Sequence, residues 1–397
     1  MTNESNKQVI GLFGFGVVGE GLYHVLKKSR TTNAFIKKIC VLDQQKERSL
    51  PGACFCFEPN EIIKDPEINL VVELISDDKA AYHIVKNALI AGKSVVSGNK
   101  KMIAENLTEL IELQKMTGAA LLYDASACGS IPVIRNLEEY YDNDLLLSIT
   151  GILNGSSNFI LSRIFSDNMD YTQALEMAKQ LGFAEADPSF DVDGYDSLYK
   201  LVILAVHGFG AIVKPATVFH AGISTMNAFD IRYAREKGRK IKLVAQAIKR
   251  PDKSFSMFVL PKLVEPEEYI YNVENEYNGV IIEGEFYEKQ FMFGKGAGGF
   301  PTGSSVLSDI TARLHGYKYE YKKRMYFNIP KYTSKVILNI YARSDKQEDL
   351  DMFDFLEINE RYVSKTSHYI TGKVSLETLL PLKQEIYKRK VFLAFTD

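Results

Sequence analysis

Up to residue 126, short apolar runs alternate with longer amphipathic segments. The apolar runs predict strands, namely QVIGLF, IKKICVLD, NLVVELIS, SVVS and AALLYDAS. Between them, segments such as DKAAYHIVKNALIAGK have the spacing of amphipathic helices. Strands that alternate with helices predict an α/β fold with a doubly wound parallel sheet. Ligands of such sheets bind at the carboxyl ends of the strands, so we expect a binding site where these strands end.

The periodicity changes in the middle and at the end of the chain. SMFVLPKLV and NGVIIEGEFYEKQFMFG alternate apolar and polar residues, which predicts a half-buried sheet in an α+β domain. After Gly316, the Tyr- and Lys-rich segment YKYEYKKRMYFNIPKY predicts an exposed linker or edge strand. The strand and helix patterns that follow it predict a small α/β module.

A length of 397 residues with 46% hydrophobic residues is sufficient for two or three globular domains. The 48 basic and 50 acidic residues nearly cancel, which gives no indication of binding to nucleic acid or to anionic membranes. No apolar run predicts a transmembrane helix. The N-terminal MTNESNKQV lacks the pattern of a secretory signal. Because the four cysteines also lack the spacing of a disulfide framework or a zinc site, we expect a cytoplasmic protein.

A glycine-rich turn joins the first predicted strand to the first predicted helix. It reads Gly14-Phe15-Gly16-Val17-Val18-Gly19, which is the pattern of turns that bind a dinucleotide. Gly14 permits a tight turn, Gly16 lets the backbone approach a pyrophosphate, and Gly19 lets the helix pack close to the strand. The N–H groups at the start of the helix are then available to the phosphates. Glycine turns also join strands to helices without a ligand, so this prediction depends on the strands and helices around the turn.

The second predicted strand ends at Asp43, where an acidic side chain can bind the ribose hydroxyls of NAD. A carboxylate there repels the 2′-phosphate of NADP, so we expect NAD to be preferred. Lys46 and Arg48 lie just beyond Asp43, and either side chain is long enough to pair with that phosphate. NADP therefore stays open as the alternative cofactor.

The segment from Leu181 to Lys200, LGFAEADPSFDVDGYDSLYK, concentrates carboxylates between two apolar segments and ends on a lysine. Acidic runs are most often solvated loops, but the apolar flanks favour a small polar chamber. Such a chamber is suited to a substrate that carries an ammonium group. Asp196 and Lys200 are four residues apart, so they share one face if this segment is helical. The lysine adds a group that can move a proton.

Several motifs resemble those of homoserine dehydrogenases. AEADPSFDVDGYDSLYK is similar to the signature of that family at every acidic position, at the proline, at the glycine and at the terminal lysine. GILNGSSNFIL and GKGAGGFPTGSS are similar to two further family motifs, and the resemblance fades after about Gly316. The resemblance implies reversible, nicotinamide-dependent interconversion of homoserine and aspartate 4-semialdehyde. It also implies a Rossmann domain over 1–135 that 297–317 complete, a substrate-binding and dimerisation domain over 136–296, and an ACT-like or divergent module over 318–397.

The resemblance implies roles for individual residues. Lys200 is the first candidate for proton transfer at the alcohol, and Lys100 assists it from the loop SGNK. The implied substrate contacts are Gly155, Ser156, Glu185, Asp191 and Asp196. The implied cofactor contacts beyond the glycine turn and Asp43 are Ser97, Lys100, Glu185 and Gly296. The loop that begins at Glu73 resembles one that touches the cofactor, although Asp77 and Asp78 stand where glycines are common.

The turn DASACGSIP resembles a family turn that binds a monovalent cation through backbone carbonyls. Carried over, the ligands of a sodium ion are the carbonyls of Asp124, Ala127, Gly129 and Ile131. The resemblance further implies a homodimer or a higher homo-oligomer. The D-x-P-G-V-L turn of an ACT domain is absent after Gly316, so the binding of an effector stays open.

Two other functions are compatible with parts of the sequence. One is a related dehydrogenase of the same fold that acts on a larger amino acid, and the AEADP and NGSSN motifs weigh against it. The other is a catalytically inactive NAD-binding regulator, and the lysines and carboxylates of the motifs weigh against it. An assay of NAD(P)H formation from homoserine separates these alternatives from a homoserine dehydrogenase.

Overall fold

The structure is a computed structural model that describes residues 7–30 and 33–396. Residues 1–6, which carry most of the segment inspected for a secretory signal, lie outside the described residues. The chain forms two compact units. The first extends to Tyr140 and also contains Lys295–Lys322, and the second contains Tyr141–Gly294 and the residues from Lys323 onward.

The N-terminal part of the first unit has the predicted alternation of strands and helices. Its elements are β1 (Gln8–Phe13), α1 (Val17–Lys28), β2 (Ala34–Cys40), β3 (Phe55–Cys56), α2 (Asn60–Ile63), β4 (Leu70–Glu73), α3 (Asp78–Ile90), β5 (Ser94–Ser97), α4 (Lys100–Thr117), β6 (Leu121–Leu122), α5 (Ala125–Cys128) and α6 (Val133–Glu139). The apolar runs of the sequence thus become strands, and the amphipathic segments between them become helices.

Strands β1–β6 form a six-stranded sheet in the order β3-β2-β1-β4-β5-β6. Every strand pair in it is parallel, which confirms the predicted doubly wound sheet. The strand order reverses between β1 and β4, and dinucleotides bind at such a reversal. The glycine turn follows β1 and Glu73 ends β4, so both lie at this point of the sheet.

The rest of the chain completes the first unit and forms the second. Its elements are β7 (Leu146–Ile152), α7 (Gly155–Asp167), α8 (Tyr171–Gln180), α9 (Ser189–Val192), α10 (Tyr195–Phe209), β8 (Phe219–His220), α11 (Ala228–Glu236), β9 (Lys240–Lys249), β10 (Phe255–Val264), β11 (Tyr277–Gly284), β12 (Glu288–Lys295), α12 (Gly299–Leu314), α13 (Lys322–Tyr326), β13 (Ile337–Ser344), β14 (Phe355–Val363), β15 (His368–Ser375), α14 (Leu376–Leu379), α15 (Lys383–Lys388) and β16 (Phe392–Thr396). Among the helices within 7–30 and 33–396, none combines the length and the apolar character needed to cross a lipid bilayer.

A ten-stranded mixed sheet organises the second unit, in the order β12-β11-β7-β9-β10-β16-β13-β15-β14 with β8 paired to β10. Strands β7, β9 and β10 pair antiparallel, whereas β16 pairs with β10 in parallel. Helix α10 is buried from its second residue to its last. This burial follows from its sequence, because LVILAVHGF is apolar on nearly all sides.

The C-terminal strands do not form the separate module that the sequence predicts. β13–β16 continue the sheet of the second unit, and their apolar side chains share one core with it. Within this core, the rings of Phe258 in β10 and Phe395 in β16 pack edge to face with centroids 5.2 Å apart. The predicted exposed linker also differs, because Tyr319 and Tyr321 are buried in the first unit. Periodicity shows that a strand has an apolar face, but it does not say which sheet the strand joins.

Candidate functional site

The glycine turn after β1 brings the chain into close backbone contacts. Gly14 has φ 91°, and a Cβ atom there would lie 2.7 Å from the Leu74 carbonyl oxygen. A Cβ atom at Gly19 would lie 2.3 Å from the Gly14 carbonyl oxygen. At Gly16, in contrast, no atom lies within 4 Å of an added Cβ. Packing therefore accounts for Gly14 and Gly19, whereas Gly16 faces open space.

The start of α1 directs backbone donors toward that open space. Gly16 is the N-cap of α1 and supplies no side-chain hydrogen bond to the first turn. The first N–H groups of a helix have no acceptor within the helix, and the helix dipole favours an anion there. Val17, the first residue of α1, is 74% exposed. A pyrophosphate beside Gly16 can accept these N–H groups, so the turn fits the predicted dinucleotide.

We expect Gly16→Ala to weaken NAD(P) binding roughly tenfold, because a methyl group in a close-fitting site costs about 1–3 kcal/mol. The free energy of unfolding should change by less than about 1 kcal/mol, because the Cβ atom meets no protein atom. Calorimetric titration with NAD and NADP, together with urea unfolding, measures both quantities. Gly19→Ala is the matched control and should lose stability instead. Unchanged cofactor affinity in Gly16→Ala would contradict a pyrophosphate at this turn.

A buried carboxylate at the end of β4 connects two of the predicted cofactor loops. Glu73 accepts hydrogen bonds from Ser97 Oγ at 2.6 Å and from the Ile75 N–H at 2.8 Å. Ser97 Oγ in turn accepts from the Asn99 N–H at 3.1 Å. Asn99 caps α4, which makes Lys100 the first residue of that helix. Glu73 and Ser97 are therefore brought together, with Lys100 three residues beyond Ser97.

The aspartates that stand where the family commonly has glycines have structural contacts. Asp77 is the N-cap of α3, and its side chain accepts from the Ala80 N–H at 2.8 Å. Asp78 forms an ion pair with Lys101 at 3.0 Å. These contacts account for both residues without a phosphate or ribose.

Burial raises the pKa of Glu73 to about 7, although the hydrogen bonds from Ser97 and Ile75 act in the opposite direction. The folded chain therefore binds this proton more tightly than the unfolded chain, whose glutamate has an ordinary pKa of 4.5. Glu73 contributes its full stability below about pH 4.5 and loses it as the pH rises to about 7, in total roughly 3 kcal/mol. Burial and the neighbouring Asp124 raise the pKa of Asp309 too, which adds to the same trend.

We expect Glu73→Gln to reduce this loss of stability with rising pH. The glutamine oxygen can accept from Ile75, and its amide N–H can donate to Ser97, so the local hydrogen bonds are kept. At pH 8 the variant should equal or exceed the native chain in free energy of unfolding, whereas at pH 5 it should show no gain. Urea unfolding at both pH values measures this difference. An identical pH dependence of the two chains would mean that Glu73 is already ionised below pH 5.

The loop after β2 holds Asp43 and the two basic residues that follow it. Asp43 is exposed, and its Oδ1 accepts the backbone N–H groups of Gln45 at 2.9 Å and Lys46 at 3.2 Å. The Arg48 guanidinium donates to the carbonyls of Asp43 and Lys46. It also lies 5.2 Å from the centre of the Phe55 ring. Arg48 is therefore held against its own loop, and Oδ2 is the oxygen of Asp43 that can accept from a ribose.

The turn predicted to hold a cation is a buried, hydrogen-bonded segment. Asp124 Oδ1 accepts from the Arg135 N–H at 3.1 Å, and the Asp124 N–H donates to Asp309 at 3.0 Å. The carbonyls of Asp124 and Ile131 each accept one backbone N–H, and a carbonyl oxygen has a second lone pair. Across 7–30 and 33–396, no group of three or more His, Cys, Asp or Glu side chains is placed to hold a metal. A cation at this turn would thus depend on backbone oxygens.

The glycine-rich segment around the start of α12 packs against this turn and against α1. A Cβ atom at Gly129 would lie 2.5 Å from the Gly296 carbonyl. A Cβ atom at Gly21 would lie 2.2 Å from the Gly299 carbonyl oxygen, and one at Gly303 would lie 2.7 Å from the Leu22 nitrogen. These glycines let α12 pack closely against α1, which accounts for the return of the chain to the first unit.

In the second unit, α10 carries Asp196 and Lys200 as a buried ion pair. As predicted, they share one helix face, and Lys200 Nζ lies 2.7 Å from Asp196 Oδ2. Their side chains are only 2% and 8% exposed. Lys200 Nζ also donates to the Leu153 carbonyl at 2.7 Å. Asp196 lies in the first turn of α10, where the helix dipole stabilises a carboxylate. Lys200 Nζ thus contacts a carboxylate and a backbone carbonyl at the same time.

Asn154 links this ion pair to the rest of the acidic run. Its Nδ2 donates to Asp191 at 2.7 Å and to Asp196 at 2.9 Å, while its Oδ1 caps α7. Asn278 donates to the same Leu153 carbonyl that accepts from Lys200, at 2.9 Å. Neither asparagine was predicted as a site residue. The NGSSN motif was the available signal for Asn154, whereas no local pattern marks Asn278.

The other predicted substrate residues are placed differently. Gly155 begins α7, and a Cβ atom there would lie 2.7 Å from the Glu276 carbonyl oxygen. The Ser156 hydroxyl donates to the Phe183 carbonyl, which ties α7 to the loop before Glu185. Glu185 is exposed in that loop. The structure therefore brings Asp191, Asp196 and Lys200 together around Asn154 and leaves Glu185 outside this network.

Two family models match most of the chain. The model described as "Homoserine dehydrogenase, NAD binding domain" matches residues 14–124, and "Homoserine dehydrogenase" matches residues 132–311. The homoserine dehydrogenase of Synechocystis sp. is 37% identical over 311 residues, which are 76% of this chain and 72% of that protein. The homoserine dehydrogenase of Bacillus subtilis is 34% identical over 312 residues, with the same shares.

Solved structures agree with these matches. A homoserine dehydrogenase from Thiobacillus denitrificans aligns with a TM-score of 0.85 and 27% identity over 98% of each chain. One from S. aureus aligns with a TM-score of 0.73 and 27% identity over 98% of this chain and 99% of that chain. A hyperthermophilic archaeal homoserine dehydrogenase in complex with NADPH aligns with a TM-score of 0.67 and 27% identity over 79% of this chain and 99% of that chain. The chain therefore belongs to the homoserine dehydrogenase family of NAD(P)-dependent oxidoreductases.

Proposed function

We propose that the chain interconverts L-homoserine and L-aspartate 4-semialdehyde by hydride transfer at the alcohol carbon. The observation that carries this proposal is the buried Asp196–Lys200 pair, fixed by Asn154 and the Leu153 carbonyl. An ammonium ion held in this way is suited to proton exchange with an alcohol oxygen. The nicotinamide, when bound, supplies the hydride or accepts it. The protein contributes the proton, the orientation of the substrate and the charged groups around the reacting oxygen.

Lys200 exchanges the proton of the reaction. An ammonium ion has three N–H groups, and two of them are directed at Leu153 and Asp196, so the third is available to the substrate oxygen. In aldehyde reduction, Lys200 gives this proton to the carbonyl oxygen as the carbon accepts hydride. In alcohol oxidation, Lys200 first releases one proton to solvent, and its neutral amine then takes the hydroxyl proton as hydride leaves the carbon for the nicotinamide. Asp196 orients Lys200 in both directions.

The other predicted residues bind and assist. Asp191, with Glu185, Gly155 and Ser156, binds the amino-acid end of homoserine, where a carboxylate and an ammonium group form a charge-assisted contact. Lys100 assists at the reacting carbon from the first turn of α4. Glycines of the β1–α1 turn, Ser97 and Gly296 contact the cofactor. Lys100→Ala should accordingly lower kcat more than it lowers cofactor affinity.

Incubation with homoserine and NAD or NADP at alkaline pH tests the reaction, with NAD(P)H absorbance as the readout. Turnover that depends on homoserine and stops in Lys200→Met supports the proposal. A related dehydrogenase would instead turn over a larger amino acid faster than homoserine. An inactive regulator would bind NAD(P) in calorimetry without any turnover.

NAD is the preferred cofactor in this proposal, because Asp43 repels a 2′-phosphate and Arg48 is held by its own loop. We expect kcat/KM to be higher with NAD than with NADP. Asp43→Ala should lower the ratio of the NAD value to the NADP value. Glu47→Ala, which removes a charge from the same loop, is the matched control and should leave the ratio unchanged. A higher kcat/KM with NADP in the native chain would mean that Lys46 or Arg48 governs the choice.

A monovalent cation, a homodimer and a cytoplasmic location complete the proposal. The carbonyls of Asp124, Ala127, Gly129 and Ile131 are the proposed sodium ligands. Replacing sodium by choline in the assay should then lower turnover.

Light scattering at several protein concentrations tests the proposed homodimer. Fractionation of cells that produce the protein tests the proposed cytoplasmic location.

A further inference from the structure

A cavity of about 400 Å³ lies within the second unit, apart from the network around Lys200. The loop between α9 and α10, the strand β8 with its following loop, the helix α15 and the start of β16 line it. Asp191, Asp196, Lys200 and Asn154 are not among its lining residues. A volume of this size lies in the range of small-molecule sites, roughly 300–1,000 Å³.

One wall of the cavity carries an ammonium group. Lys383 Nζ contacts the His220 imidazole, with 2.7 Å to Nε2, and lies 5.3 Å from the centre of the Tyr195 ring. Burial and the Lys383 charge lower the pKa of His220 to about 3, so the ring is neutral and accepts from Lys383. Burial lowers the pKa of Lys383 to about 8, which leaves it mainly protonated at pH 7. Its further N–H groups are suited to a carboxylate.

A carboxylate lies on another wall. Asp193 lines the cavity and accepts a hydrogen bond from the Ser224 hydroxyl. Within the described part of the chain, no ion pair of 4.0 Å or less joins Asp193 to Lys383. A ligand in the cavity can therefore contact the Lys383 ammonium group at one position and the Asp193 carboxylate at another.

The surface between these groups is apolar. Phe219, Ile386, Val391 and Leu393 line the cavity, and all four belong to the buried core of the unit. A ligand with a purely polar body would leave this surface without contacts, whereas a hydrocarbon body would bury it.

We propose that this cavity is a second ligand site, which binds a monocarboxylate with an apolar body and a hydrogen-bond donor at its far end. The ligand carboxylate binds Lys383, the body lies against Phe219 and Leu393, and the donor binds Asp193. A second carboxylate in place of the donor is excluded by repulsion from Asp193.

Occupancy of the cavity reaches the substrate network through the chain itself. Asp193 and Tyr195 line the cavity, and Asp196 is the next residue of α10. A bound ligand restrains the segment that positions Asp196. We expect it to change the KM for homoserine and to leave the KM for the nicotinamide cofactor unchanged.

A series of six-carbon probes tests the proposal by calorimetric titration of the full chain. The probes are hexanoate, 6-hydroxyhexanoate, 6-aminohexanoate and adipate. The hydroxy and amino probes should bind more tightly than hexanoate, with a Kd of about 1 mM or lower. Adipate should bind most weakly, because its second carboxylate is repelled by Asp193. In Asp193→Asn, the affinity for adipate should come closer to that for the other probes.

Lys383→Met should weaken every probe at least about tenfold, as expected for loss of a charge-assisted hydrogen bond. Lys388→Met is the matched control, because this lysine lies on the same helix, is exposed and does not line the cavity. Equal binding by native and Lys383→Met chains, or no binding of any probe below about 10 mM, would overturn the site. A probe that binds without changing the KM for homoserine would contradict its link to α10.

Discussion

Replacing Lys200 by methionine is expected to lower the kcat for homoserine oxidation by about 10²–10⁴-fold, the usual contribution of a general acid or base. Methionine keeps most of the side-chain volume but cannot exchange a proton with the substrate oxygen. NAD(P) affinity should stay within about threefold, because the cofactor turn belongs to the first unit. Steady-state kinetics and calorimetric titration measure the two effects separately.

Loss of Lys200 also leaves Asp196 as a buried carboxylate without its ion-pair partner, so stability has to be separated from catalysis. The double variant Asp196→Asn, Lys200→Met removes both charges, and we expect it to recover stability but not turnover. Lys262→Met is a matched control, because Lys262 is equally buried in the same unit and pairs with Glu268. A folded Lys200→Met chain with less than a threefold loss of kcat would refute the assignment.

Arg343→Met is expected to lower the free energy of unfolding by about 3–5 kcal/mol, the cost of removing one partner of a buried ion pair. The Arg343 side chain is 2% exposed, and its Nε donates to Asp230 at 3.0 Å. It also donates to the Thr225 carbonyl at 2.6 Å, and Tyr341 donates to Asp230 at 2.9 Å. Without Arg343, burial would favour protonation of Asp230, whose pKa burial already raises. Urea unfolding followed by circular dichroism measures the loss.

An exposed arginine of the same region provides the comparison. Arg389 is 41% exposed and pairs with Asp349 and Glu385, so Arg389→Met should cost less than about 1 kcal/mol. In the double variant Asp230→Asn, Arg343→Met, we expect less destabilisation than the sum of the single changes, because the two side chains share one interaction. Additive losses would indicate that Arg343 acts through packing and not through Asp230.

The local parts of the site could be predicted from the sequence. Glycine at positions 14 and 19 could be predicted, because the backbone segments of a strand-to-helix turn lie too close together there to leave room for a side chain. The shared face of Asp196 and Lys200 follows from helical spacing alone, since residues four apart lie one turn apart. The sequence also predicts correctly that the C-terminal end of the acidic run is not a solvated loop, because α10 buries the side chains of Asp196 and Lys200.

Other parts depend on contacts between distant segments. Asn154 lies 37 residues before Asp191 and 42 before Asp196, yet its amide joins the two carboxylates. Glu73 acquires its raised pKa because β4 is a central strand whose four residues are all buried. The cavity beside Lys383 combines α15 with residues almost two hundred positions earlier in the chain. No local pattern carries such information.

The sequence by itself determined the parallel dinucleotide fold, the glycine turn, the family and the helical spacing of Asp196 and Lys200. These features depend on residues that are close along the chain, where periodicity and turn chemistry operate. Only the tertiary structure decided that β13–β16 join the sheet of the second unit and that Arg343 reaches Asp230. The physical reason is that the apolar and polar pattern of a strand fits the edges of several sheets equally well. The choice among those edges is made by the core that all the strands bury together.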